Sequence, residues 1–364
     1  MKRFSAAVRM RAAYACALAA ALVSGAACQS EIKDEDPSKA HLTKRDRLFD
    51  VAMVGKQAWI VGFPGIILHS ADGGKTFDAQ AGGGEEALFA LDFVSDTQGF
   101  IVGREGLVLG TSDGGHTWTR LETGVKDHLF AVDFVDAERG WAVGNFGVII
   151  HTEDAGKTWV RQTVGSPDAA GTAAADEGAA ADGGAAAEPA PAFDRLLNGV
   201  AFVSRTQGWI VGESGVVLHT VDAGKTWTEQ ASNEWAPLYS PVFLDEKRGY
   251  VSGSEGALLA TADGGETWER IDTGITEHLF GLWVSGDSLL AVGRRGAVVR
   301  GALTEGAPTF EKVPLGAFTW IVALAMGDEG LGLMVGGQGL ILRSADRGKT
   351  WEPAELSATR LQAL

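Results

Sequence analysis

One eight-residue phrase limits what this chain can fold into more than any other feature. It reads SADGGKTF from Ser70, TSDGGHTW from Thr111, TEDAGKTW from Thr152, TVDAGKTW from Thr220, TADGGETW from Thr261 and SADRGKTW from Ser344. Its aspartates are Asp72, Asp113, Asp154, Asp222, Asp263 and Asp346, with gaps of 41, 41, 68, 41 and 83 residues. The gap of 68 is one period plus 27, and the gap of 83 is two periods plus one. A further copy therefore belongs near residue 305, where residues 305–310 read EGAPTF, the same phrase decayed. A period of this length marks an array of one repeated supersecondary unit.

Each period carries more than the box. Residues 129–160 read LFAVDFVDAERGWAVGNFGVIIHTEDAGKTWV. Three short apolar or alternating runs, with glycine at the turns, lead into the box, and a fourth run follows it. Four short strands per unit make a propeller blade. Unit starts at Leu48, Leu88, Leu129, Leu197, Leu238, Leu279 and Trp320 predict an all-β, seven-bladed β-propeller over 48–357, with a tail at 358–364. The composition agrees, since 45% of residues are hydrophobic and the 50 glycines show no collagen spacing.

The box is expected to be the turn between a blade's third and fourth strands. Its Ser or Thr hydroxyl and its Asp carboxylate can accept hydrogen bonds from backbone N–H groups within the turn. The closing Phe77, Trp118, Trp159, Trp227, Trp268, Phe310 and Trp351 supply large apolar area, expected between blades. The six aspartates are thus structural. His69, His151 and His219 share one strand position, which repeat geometry explains without a metal, and no metal site or cofactor is expected.

Outside the repeats, residues 1–27 have a basic start and an apolar run over 12–23, too short for a bilayer span and suited to an export signal. The ending SGAAC resembles a lipobox, which makes Cys28 the expected lipidated residue, with Gly25 where Leu is usual. Ordinary cleavage near Cys28 is the alternative. Cys16 leaves with the signal, so the body has no cysteine for a disulfide or a thiolate metal site. Residues 28–47 are polar and are expected to be a flexible tether. Loss of Lys2, Arg3, Arg9 and Arg11 takes the formal charge from −16 to −20, which opposes nucleic-acid binding. Residues 166–193, Ala/Gly-rich and acidic, form an expected disordered insert between blades 3 and 4. It is either a passive loop or an acidic flap that competes for basic positions.

The box and the preceding G-W-[IA]-V-G-x-x-G pattern resemble the Asp-box, or bacterial neuraminidase repeat, as it occurs in the photosystem II stability and assembly factor family. The resemblance covers 48–357. It implies an exported, often lipidated seven-bladed propeller that is not an enzyme and that binds a membrane-protein partner during assembly. An arginine-rich patch on one face is implicated in that family. The matching positions here are the two residues inside each G-x-x-G hairpin, and only Arg104, Arg294 and Arg295 among them are basic. Strand alternation puts these hairpins on the face that also holds the blade-to-blade connections, and puts the boxes on the other. The candidate partner-binding residues are Arg104, Arg294, Arg295, Asn145, Lys126, His128, Trp235 and His278. The expected protein is a monomeric periplasmic or cell-surface lipoprotein, held to the membrane by its lipid. Its expected partner is a membrane or exported protein.

Two other readings stay open. A glycan-binding surface module would use exposed aromatics such as Phe63, Phe146 and Trp235. Sialidases share the box but need a Tyr nucleophile, an acid/base Asp and three arginines; the body offers only Tyr239 and Tyr250, and GFPG at Gly62 does not fit their arginine motif.

Overall fold

The computed structural model describes residues 42–165, 193–303, 308–316 and 318–354. The expected signal, Cys28, the body of the insert and the tail lie outside these residues. Twenty-eight strands form seven four-stranded sheets, each built from four consecutive strands. Blade 3 is representative, with antiparallel strands Leu129–Phe134, Gly140–Gly144, Ile149–Thr152 and Val160–Gln162. The inner two strands are buried along their whole length, and the fourth is largely exposed. Blade 6 keeps its third and fourth strands, Val298–Ala302 and Thr309–Lys312, despite the decayed box.

The box forms the expected turn. In blade 2, the Thr111 hydroxyl donates to Asp113 at 2.8 Å and accepts the Gly115 N–H at 2.9 Å. Asp113 also accepts the Thr117 N–H and hydroxyl, at 2.9 and 2.7 Å. The same pattern recurs at Asp72, Asp154, Asp222, Asp263 and Asp346. Gly115 sits at φ 88°, a backbone state that glycine adopts without steric cost.

The seams between blades follow an aromatic code. A second-strand ring lies flat on a first-strand Phe of the next blade: Trp59 on Phe93, Phe100 on Phe134, Trp141 on Phe202 and Trp209 on Phe243, with centroids 3.5–3.6 Å apart. The box Trp of that next blade meets the Phe edge-on, as with Trp227 on Phe202 at 87°. So the closing aromatic packs on its own blade's Phe, which carries the contact across the seam. The indole N–H of Trp59 donates to the Gly114 carbonyl in the neighbouring box, and Trp209 does the same to Gly264. His69, His151 and His219 lie against the other side of Trp59, Trp141 and Trp209, as cross-strand partners. Burial pushes all three imidazoles below their usual pKa, which suits a neutral stacking role.

Seams 5–6, 6–7 and 7–1 lack such stacked pairs among the described residues: Val284 stands where a first-strand Phe would meet Tyr250, and Leu290 and Leu333 replace the second-strand aromatic of blades 6 and 7. At seam 7–1, Arg343 takes the histidine position and its Nε donates to the Gly73 carbonyl in the box of blade 1 at 2.8 Å. Among the described residues, no strand is exchanged to close the ring. Residues 42–46, within the expected tether, instead lie along blade 7. Leu42 packs onto the core, Gly339 N–H donates to the Asp46 carbonyl at 3.0 Å, and Arg47 bridges Gly337.

Candidate partner-binding face

Antiparallel order places the hairpins between second and third strands on one face with the blade-to-blade connections. Five are single tight turns: Arg104–Gly106, Asn145–Gly147, Glu213–Gly215, Ser254–Gly256 and Arg294–Gly296. Blade 1 turns through a cis Phe63–Pro64 peptide and blade 7 through Gly337–Gln338. The second residue of each tight turn is left-handed: Glu105, Phe146, Ser214, Glu255 and Arg295 have φ 52–60°, and Gln338 has φ 63°. A left-handed conformation costs a non-glycine residue roughly 1–2 kcal/mol. Six blades therefore keep a side chain where glycine is cheapest, and the turn points that side chain away from the sheet. The six intact boxes divide evenly at their first left-handed position, with Gly73, Gly114 and Gly264 in three and Ala155, Ala223 and Arg347 in the others.

The floor between the hairpins is closed. Each first strand has a bulge at its second residue. The bulged residues are Phe49, Phe89, Phe130, Asn198, Tyr239, Phe280 and Val322, all buried. Phe49, Phe89 and Phe130 form one apolar cluster with Trp320 packed against it. Tyr239 shares a hydrogen bond with Ser254 there, so it is part of the floor and not an open nucleophile. Tyr250 is half-buried, and burial raises its pKa.

The predicted site residues fall into separate groups around this floor. Arg104 and Lys126 are exposed, with His128 beside them, at blades 2 and 3. Arg104 is paired with its own neighbour Glu105 at 3.1 Å. Such an exposed pair is weak, and it leaves little net charge at that apex. Arg294 and Arg295, both exposed, stand on blade 6 next to His278. Trp235 is 88% exposed in the connection from blade 4 to blade 5, beside Glu234. Asn145 is half-buried, with an Oδ1 that has no partner among the described residues. The structure does not join blades 2 and 6 into one patch, because blades 7 and 1 lie between them.

The two histidines hold hairpins in place. His128 Nδ1 accepts the Glu105 N–H at 3.0 Å, and His278 Nδ1 accepts the Glu255 N–H at 3.1 Å. Each imidazole thus reaches back to the apex of the preceding blade. Burial lowers both pKa values, and the nearby cations Arg104 and Arg294 add to this. Neutral imidazole is the form that can accept, so geometry and protonation state agree.

Sequence reasoning missed three contributors. Lys44 and Arg45 belong to a polar stretch that reads as tether, but the anchoring of Leu42 and Asp46 brings both, exposed, to blade 7. The Arg294–Gly296 turn packs against the first strand of that same blade. Lys44, Arg45, Arg294 and Arg295 thus share one sector, and none is in an ion pair among the described residues. Phe318, in the connection from blade 6 to blade 7, is 94% exposed. Its connection follows the decayed box and carries no motif. The insert's stems also diverge: Gly165 N–H donates to the carbonyl of Trp227, which closes a box, while the Arg195 carbonyl accepts the Gly147 N–H on the hairpin face. Only the second stem lies where the insert was expected.

Known proteins agree with this architecture. The family model described as Photosynthesis system II assembly factor YCF48 matches residues 83–174 and 190–294. Among curated proteins, none matches the sequence. A structure of YCF48 bound to a D1 peptide has a TM-score of 0.63 at 17% identity, covering 85% of this chain and 97% of its own. YCF48 from Cyanidioschyzon merolae has a TM-score of 0.61 at 19% identity, covering 84% and 96%. A GH74 xyloglucanase from Xanthomonas campestris has a TM-score of 0.65 at 14% identity, covering 88% of this chain but 55% of the enzyme. These likenesses concern the fold alone. With more than half of its length under the family model, the chain belongs to the photosynthesis system II assembly factor YCF48 family.

Proposed function

We propose that the protein is a non-enzymatic assembly factor that captures an exported segment of a membrane protein on its hairpin face. One observation carries this reading. Lys44, Arg45, Arg294 and Arg295 form a basic sector with no ion pairs among the described residues, on a chain of formal charge −16. One of the four, Arg295, is held at φ 60° where glycine would be cheaper. Such a sector suits an acidic or carboxylate-terminated segment, because field complementarity steers encounter and suppresses wrong partners. The D1 peptide bound by a YCF48 of the same fold supports a peptide as the ligand. Export and lipidation at Cys28, as expected from the sequence, would place the propeller at the membrane where such segments emerge.

Purification of the tagged protein from solubilised host membranes tests this. An integral membrane protein is expected to accompany the wild type and to be lost from an Arg104→Glu, Arg294→Glu, Arg295→Glu variant. Retention by the folded variant counts against the reading. The exposed rings of Phe146, Trp235 and Phe318 favour glycan binding as a second reading, since sugars stack on aromatic planes. A glycan array separates the two.

A further inference from the structure

We infer that the hairpin face is the membrane-facing side of the molecule, with its basic sector and Phe318 at the level of anionic lipid headgroups. The inference rests on the anchoring of Cys28 taken up above. Three independent observations converge on it.

The first is where the chain toward the anchor departs. Leu42 is tucked against blade 7, where Gly339 N–H holds the Asp46 carbonyl and Arg47 bridges Gly337. Gly337 and Gly339 belong to a hairpin of this face, so the leash starts here and not among the boxes. Thirteen residues, 29–41, separate Cys28 from Leu42. At about 3.5 Å per residue such a leash spans at most about 50 Å, which bounds how far its point of departure stands from the bilayer.

The second is charge. Lys44 and Arg45 flank the leash's exit, and Arg294 and Arg295 stand one blade away. The Coulomb attraction of such a cluster to anionic headgroups acts within a Debye length of the surface. The rest of this acidic chain is repelled, so the molecule is oriented as well as held. The box face has exposed lysines too, Lys75, Lys157, Lys225 and Lys349, but each lies three residues after a box aspartate. Those charges are largely offset locally.

The third is the exposed apolar surface. The large exposed hydrophobics are Phe146, Val160, Val221, Trp235 and Phe318. All three aromatics stand on the hairpin face, while Val160 and Val221 belong to an outer strand and a box. Trp is stabilised at the membrane–water boundary by its amphipathic ring, and Phe by burying its apolar ring at the headgroup–acyl boundary. Phe318, at 94% exposed in the connection that leaves the blade of Arg294 and Arg295, has no packing role in the fold.

Photocrosslinking of the full chain tests the inference, in a bacterium that processes lipoproteins, with p-benzoylphenylalanine at position 318 or at position 221 as the opposite-face control. The expected result is a membrane-bound chain with phospholipid adducts at 318 and none at 221. Substituting Lys44→Glu, Arg45→Glu, Arg294→Glu and Arg295→Glu is expected to abolish the lipid adduct while the chain stays in the membrane fraction. A membrane-bound chain whose position 318 forms only protein adducts, or labels lipid no better than 221, overturns the inference. Recovery outside the membrane fraction overturns the anchor and the inference with it. Failure of the protein-capture reading is distinct, because it removes protein adducts and leaves the lipid adduct in place.

Discussion

At the scale of single residues, the box aspartates show how a repeated polar group earns its place. The Thr117 N–H, the Thr117 hydroxyl and the Thr111 hydroxyl hold Asp113 at a pKa of about 2. Asp263 and Asp346 are held at about 2 chiefly by the Thr267 and Thr350 hydroxyls. A carboxylate with a depressed folded-state pKa stabilises above its unfolded value, near 4, and loses that contribution as pH falls toward 2. Thermal stability is therefore expected to fall steeply between about pH 4 and pH 2. Asp113→Asn should flatten part of that fall in a pH series of melting curves. The seam tryptophans act differently. Trp209 is fully buried between Phe243 and His219, so Trp209→Ala should cost about 3–5 kcal/mol in urea unfolding. An exposed Phe318→Ala should cost almost nothing by the same measurement.

At the scale of strands and turns, the histidine latches make a pH-dependent prediction. His128 and His278 are neutral acceptors whose folded pKa values lie below the usual 6.5, through burial first and then Arg104 and Arg294. Their groups face Glu105 and Asp127, and Glu255, respectively. A protonated imidazole cannot accept the Glu105 or Glu255 N–H. The stabilisation from each latch is present above pH 6.5 and declines below it. Amide exchange at Glu105 and Glu255, corrected for intrinsic rates, should therefore accelerate below pH 6.5, while Phe146 and Ser214, without such a latch, should not change.

The same scale shows what a sequence can disclose. The box, the four-strand unit and the seven starts are local patterns in which spacing alone sets the geometry, so blades were legible down to Leu88, Leu129, Leu197, Leu238 and Leu279 as strand starts. The side of each hairpin followed from strand alternation. Lys44 and Arg45 were not legible, because their placement depends on Asp46 meeting Gly339, almost three hundred residues away in sequence. Phe318 was not legible either, since the unit start at Trp320 put it in a connection where no motif marks an exposed ring. The His128 and His278 latches left a faint signal: a histidine just before the strand start in two blades only.

At the scale of the whole molecule, the ring is uneven. Blades 1–5 are joined by stacked aromatics, whereas the seams among blades 5, 6, 7 and 1 have no such stacked pair among the described residues; Tyr239 meets Phe280 at a tilt at seam 5–6, and Arg343 holds the Gly73 carbonyl at the closing seam. The basic sector stands on blades 6 and 7, in the part of the ring without stacked aromatic seams. Arg343→Ala removes a charged hydrogen bond worth about 1.5–3 kcal/mol. It should raise amide exchange at Gly73 and Gly74 more than at Gly264 and Gly265, across an aromatic seam.

Lysine footprinting of the purified membrane complex tests the central claim most directly, because the two faces carry separate lysines. Lys44 and Lys126 stand on the hairpin face; Lys75, Lys157, Lys225 and Lys349 stand in the boxes. Partner binding is predicted to protect Lys44, and to crosslink it to the partner, while the box lysines stay reactive. Protection of the box lysines with Lys44 fully reactive would contradict the account.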